Sequence, residues 1–62
     1  MQAGDLVEWN GRWGHVITRH QPWRGENIWA VDVLFFATRD APEWTTCVLE
    51  SEVSIIRVAP PG

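Results

Sequence analysis

The chain has 62 residues, a formal net charge of −3 and a single cysteine, and these numbers limit what it can be. A chain of this size is one domain, whose core alone supplies at most about 3–5 kcal/mol, and such chains usually add a staple or a partner. One cysteine excludes an internal disulfide, and two histidines with one cysteine fall short of a four-ligand structural zinc site. Because five tryptophans are present, we expect an aromatic core, oligomerisation, or both.

The charged residues indicate how the chain could meet a partner. All five cations are arginines and lysine is absent, and arginine and tryptophan are the residues enriched at binding hot spots. An arginine-rich genome is an equally good explanation of this composition. Nucleic-acid-binding modules carry a basic patch, so an acidic chain with dispersed arginines is a poor candidate for binding DNA or RNA.

The sequence gives no indication of export or membrane insertion. Residues 1–5 lack a positively charged segment, and the longest apolar run is far shorter than a membrane-spanning helix. A single unpaired cysteine fits a reducing compartment. We therefore expect a cytoplasmic protein without a signal peptide.

The first predicted elements are two strands joined by a turn. The first strand covers Leu6–Trp9. The Asn10-Gly11 pair after it is a strong hairpin signal, but three more residues precede the next apolar run. We therefore expect a longer turn with Gly14 at a positive φ. The second strand is expected from His15 to Arg19 or His20.

The centre of the predicted fold is the apolar run Ile28–Ala37. β-Branched and aromatic residues fill it and turn-forming residues flank it, which favours a long strand over a helix. Side chains alternate along a strand, and the face predicted to turn inward carries Trp29, Val31, Val33 and Phe35. Asp32 interrupts the other face, where we expect it to meet solvent or to pair with Arg19 across strands. The preceding residues, 21–27, are expected to form an exposed loop.

Two further strands complete the predicted fold. Trp44–Glu50 is expected to form a hairpin with the central strand, and Ser54–Val58 to close the sheet. Between them, Ser51–Val53 is long enough for a single helical turn, with its serine as the cap. Residues 59–62 are expected to be a flexible tail, since prolines cannot join a ladder. The fold class predicted for residues 1–62 is all-β, a five-stranded small barrel or rolled sheet with a single 3₁₀ turn before the last strand.

The order of glycines and apolar residues resembles a known fold family. Gly4-Asp5-Leu6-Val7, Gly11 and Gly14-His15-Val16-Ile17 are similar to the opening of SH3-like barrels of the Tudor and KOW kind, and the ending of the chain is similar too. The resemblance implies a strongly bent SH3-like barrel whose first and last strands are neighbours. Chains that begin in this way also resemble small uncharacterised proteins of tailed bacteriophages, which implies the cytoplasm of a bacterial host or a virion as the location.

Other members of this fold family are not matched. The Ala-Leu-Tyr-x-Tyr stretch of Src-homology domains is missing, so proline-peptide binding is not expected. Thr45–Leu49 occupies roughly the place of the Val-Gln-Ile-Tyr stretch in the tetrameric type II dihydrofolate reductases and does not match it. Fold alone does not give function.

The candidate partner-binding residues are tryptophans and arginines in or beside predicted loops. A barrel of this size cannot seat all five indoles, and Trp9 and Trp29 fit its inward face. The remaining rings either cover the barrel ends as lids or meet another chain, which includes a second copy. The residues expected to bind a partner are Arg12, Trp13, Trp23, Arg24 and Trp44.

No catalytic, metal-binding or cofactor-binding residue is predicted. His15 and His20 are five residues apart, and strict alternation would place them on opposite faces. Cys47 would need a neighbouring base and a lowered pKa to act as a nucleophile, and a small core residue is the commoner role of a cysteine in a strand. Asp32 has no evident carboxylate partner for acid–base chemistry.

The function predicted from the sequence is a non-enzymatic protein–protein interaction module. We expect a small phage or mobile-element protein, structural or accessory, that docks on another protein or forms a homo-oligomer. No cofactor, small-molecule substrate or membrane is expected. Three alternatives stay open: a Tudor- or KOW-like nucleic-acid-binding module, an oligomeric enzyme resembling type II dihydrofolate reductase, and an aromatic cage for a methyl-ammonium group.

Overall fold

The computed structural model describes residues 1–21 and 27–60 and shows an all-β fold. Five antiparallel strands form one sheet in the order β4-β3-β2-β1-β5. Because β4 and β5 do not pair with each other, the sheet is not closed into a barrel, and that part of the prediction is wrong. The elements are β1 (Leu6–Trp9), β2 (Arg12–His20), β3 (Ala30–Phe35), β4 (Trp44–Leu49), a 3₁₀ turn (Glu50–Glu52) and β5 (Ser54–Arg57).

Within residues 1–21 and 27–60, the structure contains no helix that is both long and apolar enough to span a bilayer.

The turn between β1 and β2 is shorter than the sequence pattern predicts. Asn10 and Gly11 both have positive φ, 50° and 78°, which is the condition for a type I′ turn. Trp9 therefore pairs directly with Arg12, and β2 begins three residues earlier than expected. The longer turn is wrong because the asparagine accepts the left-handed conformation that a two-residue hairpin requires.

Gly14 has a packing role and no role in a turn. It lies inside β2, opposite Val7 on one side and Phe35 on the other. A Cβ atom at this position would stand 2.3 Å from the carbonyl oxygen of Leu34. Any side chain here would force β2 and β3 apart, so the glycine is required by the close approach of two backbones.

A register shift divides β2 into two parts. Val16 pairs with Val33, and the next paired residue, Thr18, lies opposite Asp32. The extra residue in β2 is the mark of a β-bulge, which bends the strand. Beyond the bulge, each side chain lies on the face of the sheet opposite to the one that strict alternation would give. His15 and His20 consequently face the same side of the sheet, the side away from the core. The expectation that they point to opposite sides is wrong.

The core lies on the inner face of the sheet, and β3 supplies its centre. Val31, Val33 and Phe35 are fully buried, as the alternating pattern predicts. Trp29 precedes β3, which begins at Ala30, and its ring is half-buried. The whole buried cluster consists of Val7, Val16, Val31, Val33, Phe35, Val48 and Val53, with Met1 and Trp9 packed against it.

The sheet is strongly curled, because a short link joins its two edges. From Leu49 to Ser54 the chain can span at most about 19 Å. In a flat sheet these residues would be roughly 30 Å apart, since they lie four strands apart and at opposite ends of β2.

The 3₁₀ turn in this link begins at Glu50 after Leu49, with no side-chain cap, so Ser51 does not cap it as predicted.

Arg19 joins the 3₁₀ turn to the end of β2. Its guanidinium donates two hydrogen bonds to the carboxylate of Glu50, at 2.6 and 3.0 Å, and lies 3.8 Å from the centre of the Trp29 ring. The hydrogen bond from Arg19 lowers the pKa of Glu50. The predicted pair between Arg19 and Asp32 is wrong, because Arg19 lies opposite Val31 on the other face of the sheet.

Asp5 holds both ends of the chain on the sheet. Its carboxylate is buried and accepts hydrogen bonds from the backbone N–H groups of Gln2 (3.0 Å) and Ala59 (2.8 Å). The bonds from Ala59 and then Gln2 lower the pKa of Asp5 below its usual value. Ala59, at the start of the expected flexible tail, is therefore anchored.

We expect Asp5→Asn to lower the free energy of unfolding at neutral pH by about 1–3 kcal/mol. Gln2 and Ala59 donate to different oxygens of the carboxylate, and an amide keeps only one acceptor oxygen and turns an NH₂ group toward the other donor. Since folding lowers the pKa of Asp5, its contribution is complete above its unfolded pKa and is lost as the pH falls through the folded pKa. The difference between variant and parent should therefore shrink in acid. Urea unfolding at several pH values measures it, with Asp40→Asn in an exposed loop as the matched control. An Asp5→Asn variant as stable as the control at pH 7 would contradict the role of Asp5.

Candidate interaction surface

Aromatic side chains collect at one end of the sheet. The connection between β1 and β2 and the connection between β3 and β4 both lie at this end. The register places Gly14 opposite Phe35, and Phe35 opposite Trp44. We call this region the aromatic end and define it by the residues Trp9, Trp13, Phe35, Phe36 and Trp44.

Three of these rings form a stack on the inner face. Phe35 is fully buried, with its ring centre 5.6 Å from that of Trp9 and 5.8 Å from that of Trp44. The two indoles are 6.4 Å apart. Trp44 nevertheless remains 45% exposed, because β4 is an edge strand and nothing in the described residues covers its outer side. The stack holds the Trp44 ring in place and leaves one side of that ring open to a partner.

Trp13 presents a second ring on the opposite face of the same end. It pairs with Glu8 in β1 and is 52% exposed. Phe36, just after β3, is 39% exposed and meets the His15 ring edge-on at 5.8 Å. The aromatic end thus offers apolar surface on both sides of the sheet.

Arg12 fixes the loop that borders the aromatic end. Its Nη2 donates hydrogen bonds to the carbonyl oxygens of Phe36 (2.8 Å) and Pro42 (3.0 Å), and its guanidinium carbon lies 5.8 Å from the centre of the Phe35 ring. Its Nε is buried without a hydrogen-bond partner among the described residues. Arg12 therefore acts within the chain, by holding residues 36–43 against the start of β2.

The structure brings together three of the five residues predicted to bind a partner. Arg12, Trp13 and Trp44 all lie at the aromatic end, whereas Trp23 and Arg24 lie outside the described residues. The supporting role of Phe35 and the exposure of Phe36 were not predicted as parts of this site. The two-residue Asn10-Gly11 turn is a signal for the pairing of Trp9 with Arg12 alone, and the position of Phe35 depends on the pairing of β2 with β3.

A polar cluster lies on the outer face, near the other end of β2. His20 Nε2 is 3.3 Å from Asp32 Oδ1 and 3.6 Å from Cys47 Sγ. Partial desolvation of the thiol and the neighbouring Asp32 carboxylate raise the pKa of Cys47. A catalytic cysteine needs a lowered pKa, and the acid of a triad contacts the other ring nitrogen of the histidine. The cluster therefore lacks the geometry of a nucleophilic site.

The described residues show no converging aromatic cage at the groove beside the 3₁₀ turn. Its lining contains a single aromatic ring, that of Trp29, and a single carboxylate, that of Glu50. Elsewhere in the described part of the chain, Trp9, Phe35 and Trp44 pack against one another and Phe36 meets His15. This part of the structure therefore gives no support to methyl-ammonium recognition.

In comparisons with known proteins, no family model, curated protein or solved structure matches this chain. The function is therefore inferred from the residues described above.

We expect Arg12→Met to destabilise the fold by about 1–3 kcal/mol, because it removes two hydrogen bonds from a charged donor while keeping much of the aliphatic stem. Hydrogen exchange of the amides in residues 36–43 should also become faster. Denaturant unfolding and exchange measured by NMR test this. Arg39→Met, in the same loop with an exposed side chain, is the matched control. Equal stability of the two variants would show that Arg12 does not hold the loop.

Proposed function

We propose that this chain is a non-enzymatic protein–protein interaction module that docks on another protein or on a second copy of itself through the aromatic end. The observation that carries the proposal is the exposure of Trp13 (52%) and Trp44 (45%) at the same end of one small sheet. Clustered exposed apolar surface marks interaction sites, and tryptophan is the residue most enriched among those that dominate binding energy.

The rigidity of the aromatic end supports this function. Trp44 is held against the buried Phe35 ring, and Arg12 fixes the adjacent loop by two hydrogen bonds to backbone carbonyls. A ring that is already held in place loses little conformational freedom on binding, so more of its buried area appears as affinity.

The distribution of charge favours a protein partner over a nucleic acid. The chain carries a net charge of −3, and the guanidinium groups of Arg12 and Arg19 are engaged within the chain. These two arginines are therefore poorly placed to neutralise phosphates, which nucleic-acid binding requires. Retention on DNA or RNA at physiological salt, with a steep dependence on salt concentration, would support the alternative.

The resemblance to SH3-like barrels is part of the proposal. It is supported by the pairing of β1 with both β2 and β5, by the single 3₁₀ turn before β5 and by the strong curl of the sheet. A closed barrel would require β4 and β5 to approach further than they do here. The further proposal of a phage or mobile-element protein, structural or accessory, is supported by the opening sequence pattern alone.

We expect the parent chain to self-associate with a dissociation constant of about 1–100 µM, and Trp13→Ala or Trp44→Ala to weaken the association at least about 30-fold, the loss typical of a binding hot spot. Sedimentation equilibrium over this concentration range measures both. Ile28→Ala is the control, since it removes an exposed apolar side chain near the opposite end of β3.

The fold of each variant is checked by circular dichroism before the masses are compared. A parent that stays monomeric throughout this concentration range would contradict self-docking. Association that is equally strong in the two tryptophan variants and in the isoleucine control would contradict docking through the aromatic end.

A further inference from the structure

Three side chains of different chemistry converge on the outer face of the sheet. His20 comes from β2, Asp32 from β3 and Cys47 from β4. Asp32 and Cys47 are direct cross-strand partners, and His20 lies opposite Ala30, two residues from Asp32 on the same face. Their nitrogen, oxygen and sulfur donor atoms all lie within 4.8 Å of one another.

We propose that His20, Asp32 and Cys47 form a binding site for a divalent transition metal of the zinc class. Imidazole, carboxylate and thiolate are the three ligand types that zinc takes in proteins. Ligand atoms around a tetrahedral zinc ion are separated by about 3.3–3.6 Å, given the usual bond lengths. The two distances from His20 Nε2, 3.3 Å to Asp32 and 3.6 Å to Cys47, already have these values. A small rotation of side chains would complete the set.

The composition of the cluster selects the class of metal. Calcium and magnesium require several oxygen ligands, and the cluster offers a single carboxylate. A thiol and an imidazole favour zinc and its neighbours in the first transition row. The thiol gives up its proton when the metal binds, as metal-bound cysteines do.

The site would be open on one side. His20 and Asp32 are half-buried and Cys47 is exposed, so an ion can reach the three donors from solvent. Three protein ligands leave a fourth position for water, or for a donor from a second chain.

A bound metal would also link three strands at the end of β2. β1 pairs with β2 from Arg12 to His15, so within the described residues the end of β2 pairs with β3 alone. An ion held by β2, β3 and β4 would link these three strands at that end. Chains of this size often use a metal as such a staple. The proposed site does not depend on the proposed docking function.

Titration of the metal-free full chain with Co²⁺ tests the proposal. We expect saturable binding, with visible d–d bands and a sulfur-to-cobalt charge-transfer band in the difference spectrum, and displacement of Co²⁺ by Zn²⁺. Cys47→Ser should abolish the charge-transfer band, and His20→Gln and Asp32→Asn should each weaken the affinity at least about tenfold. His15→Gln is the matched control, since His15 lies on the same face but outside the cluster.

A second measurement separates binding from folding. Zn²⁺ should raise the thermal unfolding temperature of the parent and of His15→Gln, and should leave that of Cys47→Ser unchanged. Binding of one ion per chain or of one ion shared by two chains both support the site. Absence of the charge-transfer band in the parent, or affinity in folded His20→Gln equal to that of the parent, would overturn the proposal.

Discussion

The bulge in β2 is the constraint on which the rest of the structure depends. One extra residue between Val16 and Thr18 bends the strand that lies at the centre of the sheet. The bend contributes to the curl that brings the end of β4 within reach of the start of β5, and the curled inner face encloses a core made mainly of valines. The same residue changes the phase of the side chains, which moves His20 to the outer face beside Asp32.

The aromatic end follows from a conflict between the size of the chain and its content of large rings. A sheet of this size has one concave face, and valines with one phenylalanine already fill it. Trp44 can cover that phenylalanine but has no strand on its other side. Trp13 lies on the convex face and has no layer above it in the described residues. The small size of the sheet therefore keeps the core small and leaves indole surface exposed. A binding partner is the usual means of burying such surface.

The two candidate sites occupy different ends of β2 and use different physical interactions. The aromatic end offers apolar surface on rings that the hairpins and Arg12 hold in place. The cluster of His20, Asp32 and Cys47 offers donor atoms on three strands, where the register fixes their spacing. Neither site shares a residue with the other, so substitutions can be chosen that change one set of side chains and not the other.

The sequence by itself determined the all-β class, the strand Leu6–Trp9, the inward face of β3 and a short helical turn before the last strand. These features depend on alternation and on turn-forming residues, which act over a few neighbouring positions. Only the tertiary structure decided that Gly14 lies against the carbonyl of Leu34, that Arg19 pairs with a glutamate 31 residues away and that the histidines share a face. Each of these depends on which backbone lies alongside, and a bulge changes that pairing without leaving a mark in the local pattern.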